Sequence, residues 1–66
     1  MIPTESATEE SRRIAEAVRR ACIEAARQGY AQAAASGLCE DGAIEAAIGA
    51  MQMLDLNEVI LLEKQQ

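Results

Sequence analysis

Fourteen of the 66 residues are alanine and Tyr30 is the only aromatic residue, so the core of this chain must be built from many small contacts. Alanine has the highest helix propensity, but it removes little apolar area from water when it is buried. A single domain of this size buries only about 60% of the surface that its unfolded chain exposes. We therefore expect an all-helical protein whose core is supplemented by disulfides, a metal or oligomerisation.

The cysteine and histidine content disfavours two of these supplements. The chain has two cysteines and no histidine, so the common zinc sites cannot be assembled within it. If Cys22 lies inside a helix that ends near Gly37, it stands roughly 20 Å from Cys39, and a disulfide needs Cα atoms within about 7 Å. We expect reduced thiols, no metal and no cofactor. Because we recognise no secretory leader, we also expect a cytoplasmic protein.

The first helix is expected over residues 6–36, after a short disordered lead at residues 1–5. The segment from Ser6 to Glu9 fits a capping box, in which each side chain bonds the backbone amide of the other residue. Apolar residues then recur at intervals of three and four, which is typical of an amphipathic helix. Gly37 fits the left-handed position that follows a helix, and Gly29 in the interior indicates a bend or a close contact.

The second helix is expected over residues 40–54, with Glu40 and Asp41 in a first turn where the helix dipole favours negative charge. One side of this helix carries the large apolar residues Ile44, Ile48, Met51 and Leu54. Another side carries only small residues, Gly42, Ala46 and Gly49, and would let a neighbouring helix approach closely.

A third helix is expected over residues 56–64, because Asp55 fits an N-cap and Glu58 follows it three residues later. The run from Val59 to Leu62 is apolar on every side, which is not typical of a surface helix. A buried strand is the competing interpretation of this run, but a single strand has no partner with which to pair.

These elements predict an all-α fold: an antiparallel helical hairpin with a short third helix, forming one domain over residues 6–66. Two copies would complete the core as a bundle, or the same surface would dock on a larger protein as an accessory subunit. The polar residues of the first helix would face water. The expected interface residues are Ile44, Ile48, Met51, Leu54, Leu56, Val59, Ile60, Leu62, Gly42, Ala46 and Gly49.

The stretch GLCEDGAIEAAIGAMQMLDLNE, residues 37–58, resembles the second half of a tetratricopeptide repeat. It has a glycine turn, an Ala/Ile-rich helix and a Leu-Asp-x-Asn ending, and Leu56 stands where the family usually has proline. The resemblance implies two antiparallel helices. In that family, such helices stack on neighbouring repeats and bind peptides or protein tails, and at least three repeats are normally needed.

The charge is divided unevenly along the chain. Residues 1–37 hold five arginines and five glutamates, whereas residues 38–66 hold six acids and one lysine, so the net charge of −5 belongs to the second part. Arg12, Arg19 and Arg27 form a basic stripe that could hold phosphates, and a nucleic-acid-binding dimer is therefore the alternative function. We favour i,i+4 ion pairs from Glu9 to Arg13 and from Glu16 to Arg20, because the protein is acidic and no aromatic residues interleave the stripe.

Nothing in the sequence favours catalysis, a small-molecule substrate or a membrane. Cys39 could be a nucleophile at a helix start, but neighbouring acids oppose a thiolate and no histidine can act as a base. We expect its side chain to be tucked under the turn and Cys22 to be part of the core. No apolar run approaches the 18 or more residues of a membrane span. The expected function is a small protein-interaction module that self-associates or serves a larger protein.

Overall fold

The computed structural model describes residues 8–65, which form three α-helices joined by short turns, with no β-strand in that range. Helix α1 spans Glu9–Ala35, α2 spans Glu40–Gln52 and α3 spans Leu56–Lys64. The all-α fold class is confirmed. The third helix has the expected bounds, whereas the first two are slightly shorter than expected.

Helix α1 begins at Glu9, because the backbone of Thr8 is extended and its hydroxyl accepts a 3.0 Å hydrogen bond from the amide of Ser11. Thr8 is therefore the N-cap, and Glu9 occupies the first turn of the helix and not the third position of a capping box. The expected cap at Ser6 lies outside the described residues. Glu9 and Glu10 are placed where the positive end of the helix dipole stabilises acidic side chains.

The end of α1 is set by Gly37, whose φ of +93° is the left-handed conformation that the sequence predicts there. The Gly37 amide donates to the carbonyl of Ala34, and the Leu38 amide donates to the carbonyl of Ala33, both at 3.0 Å. These two bonds define a Schellman motif, which satisfies carbonyls at the end of the helix.

The turn between α2 and α3 follows from the cap of α3. The Asp55 carboxylate accepts a 3.2 Å hydrogen bond from the amide of Glu58, as its sequence position predicts. The extended backbone that Asp55 needs for this role requires the preceding helix to end earlier. Helix α2 accordingly ends at Gln52, two residues before the expected end, and the Met53 amide donates to the carbonyl of Gly49.

Helix α1 contacts both shorter helices, whereas α2 and α3 do not contact each other. Gly29 of α1 lies directly against α2: a Cβ atom added there would be 2.9 Å from the carbonyl oxygen of Ala46 and 2.9 Å from the Cβ of Ala50. The close contact that Gly29 suggested in the sequence is therefore present.

Very little of the chain is buried. Among the described residues only Ala33 and Ala43 are buried, with 8% and 1% of their surface exposed. The described residues extend over 45 × 28 × 13 Å, and both shorter helices pack on α1 without contacting each other. Stable domains normally bury a core between two packed layers. This chain provides one layer, so its large apolar residues have little to pack against.

Candidate interaction surface

The large apolar stripe of α2 is exposed because alanines occupy the side of the helix that faces α1. Ile44, Ile48 and Met51 are 45%, 40% and 36% exposed. Each of them directly follows an alanine that is buried or half-buried, namely Ala43, Ala47 and Ala50. Since successive helical residues turn by about 100°, the three large side chains lie beside the α1–α2 contact and not in it.

Helix α1 adds two large apolar side chains that the sequence reasoning missed. Ile23 and Tyr30 are 51% and 40% exposed and lie seven residues apart, on the same side of the helix. They directly follow half-buried Cys22 and half-buried Gly29. The sequence feature that could have identified them is their size: both are large apolar residues that lie outside the alanine-rich stripe of α1.

Helix α3 presents a second exposed apolar region. Leu56 and Leu62 are exposed, and so is Leu61, which was absent from the expected interface. Val59 and Ile60 are half-buried, as is Leu54 before the helix. The run that looked too apolar for a surface helix therefore remains largely uncovered in a single copy.

The three small residues that were expected to form one side of α2, Gly42, Ala46 and Gly49, have different surroundings in the structure. Ala46 is in contact with Gly29 of the same chain, and a Cβ added at Gly42 would meet the Leu38 side chain at 3.2 Å. A Cβ added at Gly49 would meet nothing within 4 Å. Gly42 and Ala46 are therefore occupied within the chain, and these three positions do not form one docking surface.

The arginines are exposed and lie close to acids. Within residues 8–65 the ion pairs are Glu16 with Arg19 at 2.9 Å and Arg20 with Glu63 at 4.0 Å. The expected pairs from Glu9 to Arg13 and from Glu16 to Arg20 are not formed there. Arg20 reaches α3 instead, where Glu63 has a side chain that is only 13% exposed. One shallow depression of the surface is lined by Glu9, Arg12, Arg13, Glu16, Arg20 and Glu63.

Both cysteines are free thiols, but their surroundings differ. Cys22 is half-buried in the apolar side of α1. Cys39 is the N-cap residue of α2, is exposed and makes no capping hydrogen bond with its side chain. The expectation that the Cys39 side chain is tucked under the turn is wrong, because the residue is exposed and its side chain makes no hydrogen bond to the first turn of α2.

Within the described range, no three cysteine or acidic side chains come together as a metal-binding group. None of the three helices combines the length and the apolar character that are needed to cross a membrane. Comparisons with protein-family models, with curated proteins and with solved structures find no significant match to this chain.

Proposed function

We propose that this protein is a small, non-catalytic interaction module that works by associating with another protein chain, either a second copy or a larger partner. The observation that carries the proposal is the ratio of buried to exposed apolar residues. Among residues 8–65, two alanines are buried, whereas ten large apolar side chains are at least 36% exposed. Surfaces of this kind are typical of interaction sites in soluble proteins.

The proposed architecture is an antiparallel helical hairpin that a partner completes into a bundle. Two observations support it. Gly29 lies against Ala46 and Ala50, and only the short Schellman turn separates the end of α1 from the start of α2. A chain that reverses over so few residues brings its helices side by side in opposite directions. The resemblance of residues 37–58 to a tetratricopeptide hairpin agrees with this arrangement.

The energetic reason for a partner is the size of the uncovered surface. Burying one large apolar side chain fully contributes about 1.5–3 kcal/mol, and a whole domain is stable by only about 5–15 kcal/mol. Because the exposed side chains are on average about half exposed, covering five of them would contribute roughly 4–8 kcal/mol, which is comparable with the lower end of that stability. Within one copy, the buried residues of the described range are Ala33 and Ala43 alone, so contacts inside a single chain supply little of this contribution.

The charges do not favour the nucleic-acid alternative. Arg19 and Arg20 already lie within 4.0 Å of glutamates, and Arg12 and Arg13 share their depression with three acids. The net charge is −5, which repels a phosphate backbone at long range.

The free thiols of Cys22 and Cys39 support a reducing compartment such as the cytoplasm as the place of action.

The test is the mass of the purified chain by size exclusion with light scattering, together with its Tm over about a hundredfold range of concentration. We expect either a dimer or larger species whose Tm rises with concentration, or a marginally stable monomer that a partner stabilises. A monomer with a high Tm that does not change with concentration would contradict the proposal, because the exposed apolar residues would then need no cover.

A further inference from the structure

We infer that the partner on one particular surface is a second copy of this chain, placed antiparallel to the first. The surface, called here the apolar face, consists of Ile23, Tyr30, Ile44, Ile48 and Met51. The inference rests on the proposed function and on the antiparallel hairpin. It adds the identity of the partner, the surface and the orientation.

The five residues share one side of the hairpin because of their positions relative to the contact between the helices. Each directly follows a residue that is half-buried or buried, and among these preceding residues Gly29 lies against Ala47 and Ala50. In a right-handed helix the following residue is turned by about 100° in a constant sense along the chain. Two antiparallel helices face each other with opposite chain directions, so this same turn moves both sets of side chains to the same side of the pair.

The charges at the two ends of the apolar face are complementary under a twofold rotation. Arg19 follows half-buried Val18, so it lies on the same side of α1 as Ile23. Glu40 precedes Ile44 by four residues and therefore heads the apolar stripe of α2. Counted from the contact of Gly29 with α2 at 1.5 Å per residue, Arg19 and Glu40 each lie about 13 Å from the middle of the face, at opposite ends.

In the proposed dimer the two apolar faces are stacked, and the twofold axis lies in the plane between them, across the helix directions. This rotation brings the Arg19 end of one copy level with the Glu40 end of the other. At each end of the face, Arg19 of one copy, which is paired with Glu16 of its own chain, then stands level with Glu40 of the other copy. The partner's arginine also lies near the C-terminus of α1, where the last turn carries no basic residue of its own to complement the helix dipole. A parallel stacking of the two copies would create neither contact.

The area of the face agrees with a stable but small dimer. Its side chains are 36–51% exposed, which corresponds to roughly 300–400 Å² of apolar surface at ~150–200 Å² per side chain of this size. Because polar atoms make up about 40% of a typical interface, the buried area is about 600 Å² per copy. The total of about 1,200 Å² is the lower end of the range for specific interfaces.

The experiment uses charge reversal in the full chain, measured by sedimentation or light scattering. Arg19→Glu places two acids together at each end of the dimer, and Glu40→Arg places two cations together there. We expect each variant alone to self-associate about tenfold more weakly than the native chain. An equimolar mixture should recover native association as a heterodimer, because opposite charges then meet at both ends, and the double variant should recover it as a homodimer.

Matched controls are Arg13→Glu and Glu45→Arg, which make the same charge changes on sides of α1 and α2 that face away from the apolar face. They should associate as the native chain does. Circular dichroism of every variant measures helix content, and the recovery on mixing shows that a weakened variant is still folded. Ile48→Glu, at the middle of the apolar face, should prevent association with no recovery on mixing.

The outcomes separate this inference from the proposed function. A native dimer that neither charge reversal nor Ile48→Glu weakens would overturn the inference and leave the proposed function in place, with another surface as the interface. A native chain that stays monomeric at high concentration would also overturn it. A marginally stable monomer would still fit the proposed function, whereas a monomer of high, concentration-independent Tm would contradict both.

Discussion

Substituting Gly29 by alanine tests whether the close contact between α1 and α2 sets the geometry of the fold. An added Cβ would stand 2.9 Å from the backbone oxygen of Ala46, 2.9 Å from the Cβ of Ala50 and 3.3 Å from the Cα of Ala47. Two of these three atoms belong to the α2 backbone, so no side-chain rotation can relieve the overlap. The helices must separate or shift along each other.

The expected magnitude combines two opposing terms. Alanine in a helix interior is favoured over glycine by about 0.5–1 kcal/mol. Overpacking a close contact costs about 1–3 kcal/mol, and here the contact includes backbone atoms. We expect Gly29→Ala to reduce the free energy of unfolding by about 1–2 kcal/mol, which lowers the Tm by several degrees, since about 1 kcal/mol corresponds to ~4–8 °C in a domain of this size.

Gly49→Ala is the matched control, because it is the same substitution in a helix interior where an added Cβ meets nothing within 4 Å. Only the propensity term remains there, so the variant should be more stable than the native chain by about 0.5–1 kcal/mol. Both variants are compared by thermal unfolding at one protein concentration, since association shifts the Tm. If Gly29→Ala is as stabilising as Gly49→Ala, the helices do not approach each other as closely as described and the argument from Gly29 fails.

Two further predictions concern the helix starts and the thiols. Thr8→Ala and Asp55→Ala remove the side-chain caps of α1 and α3, and each should reduce stability by about 1 kcal/mol in denaturant unfolding; no loss in either would show that these caps are not maintained in solution. In the native protein, Cys39 should react with a thiol reagent faster than Cys22, because it is exposed, and equal rates followed by mass spectrometry would contradict the packing of Cys22.

Features that depend on a few neighbouring residues could be predicted from the sequence. Gly37 has the left-handed backbone and Asp55 the capping role that their positions indicate. The start of α1 was placed too early, because the expected capping box made Ser6 the N-cap, whereas Thr8 is the N-cap of the helix that is observed. The ion pair of Arg20 with Glu63 was missed for another reason: it joins residues of different helices, and their proximity depends on how α1 and α3 pack.

The candidate surface was only partly predicted. The sequence shows which residues are apolar and how large they are, but not which of them pack within the chain. The large residues Ile44 and Ile48 were expected at the interface and are exposed, but Ala46, which was assigned there because a small side chain permits a close approach, packs within the chain. Ile23 and Tyr30 were not assigned at all. Which residues lie inside depends on the distance between two helix axes, and that distance is set by the small residues that meet, such as Gly29.

Small residues lie in the contact between α1 and α2, whereas large apolar residues are exposed, and under the proposed function this arrangement couples folding to association. Contacts among alanines bring α1 and α2 together at the cost of ordering both helices, but they remove little apolar surface from water. The greater hydrophobic contribution remains with the large exposed residues and is realised only when a partner covers them. Folding and association would then be coupled, so a substitution such as Ile48→Glu should lower the Tm of the protein as well as its tendency to associate.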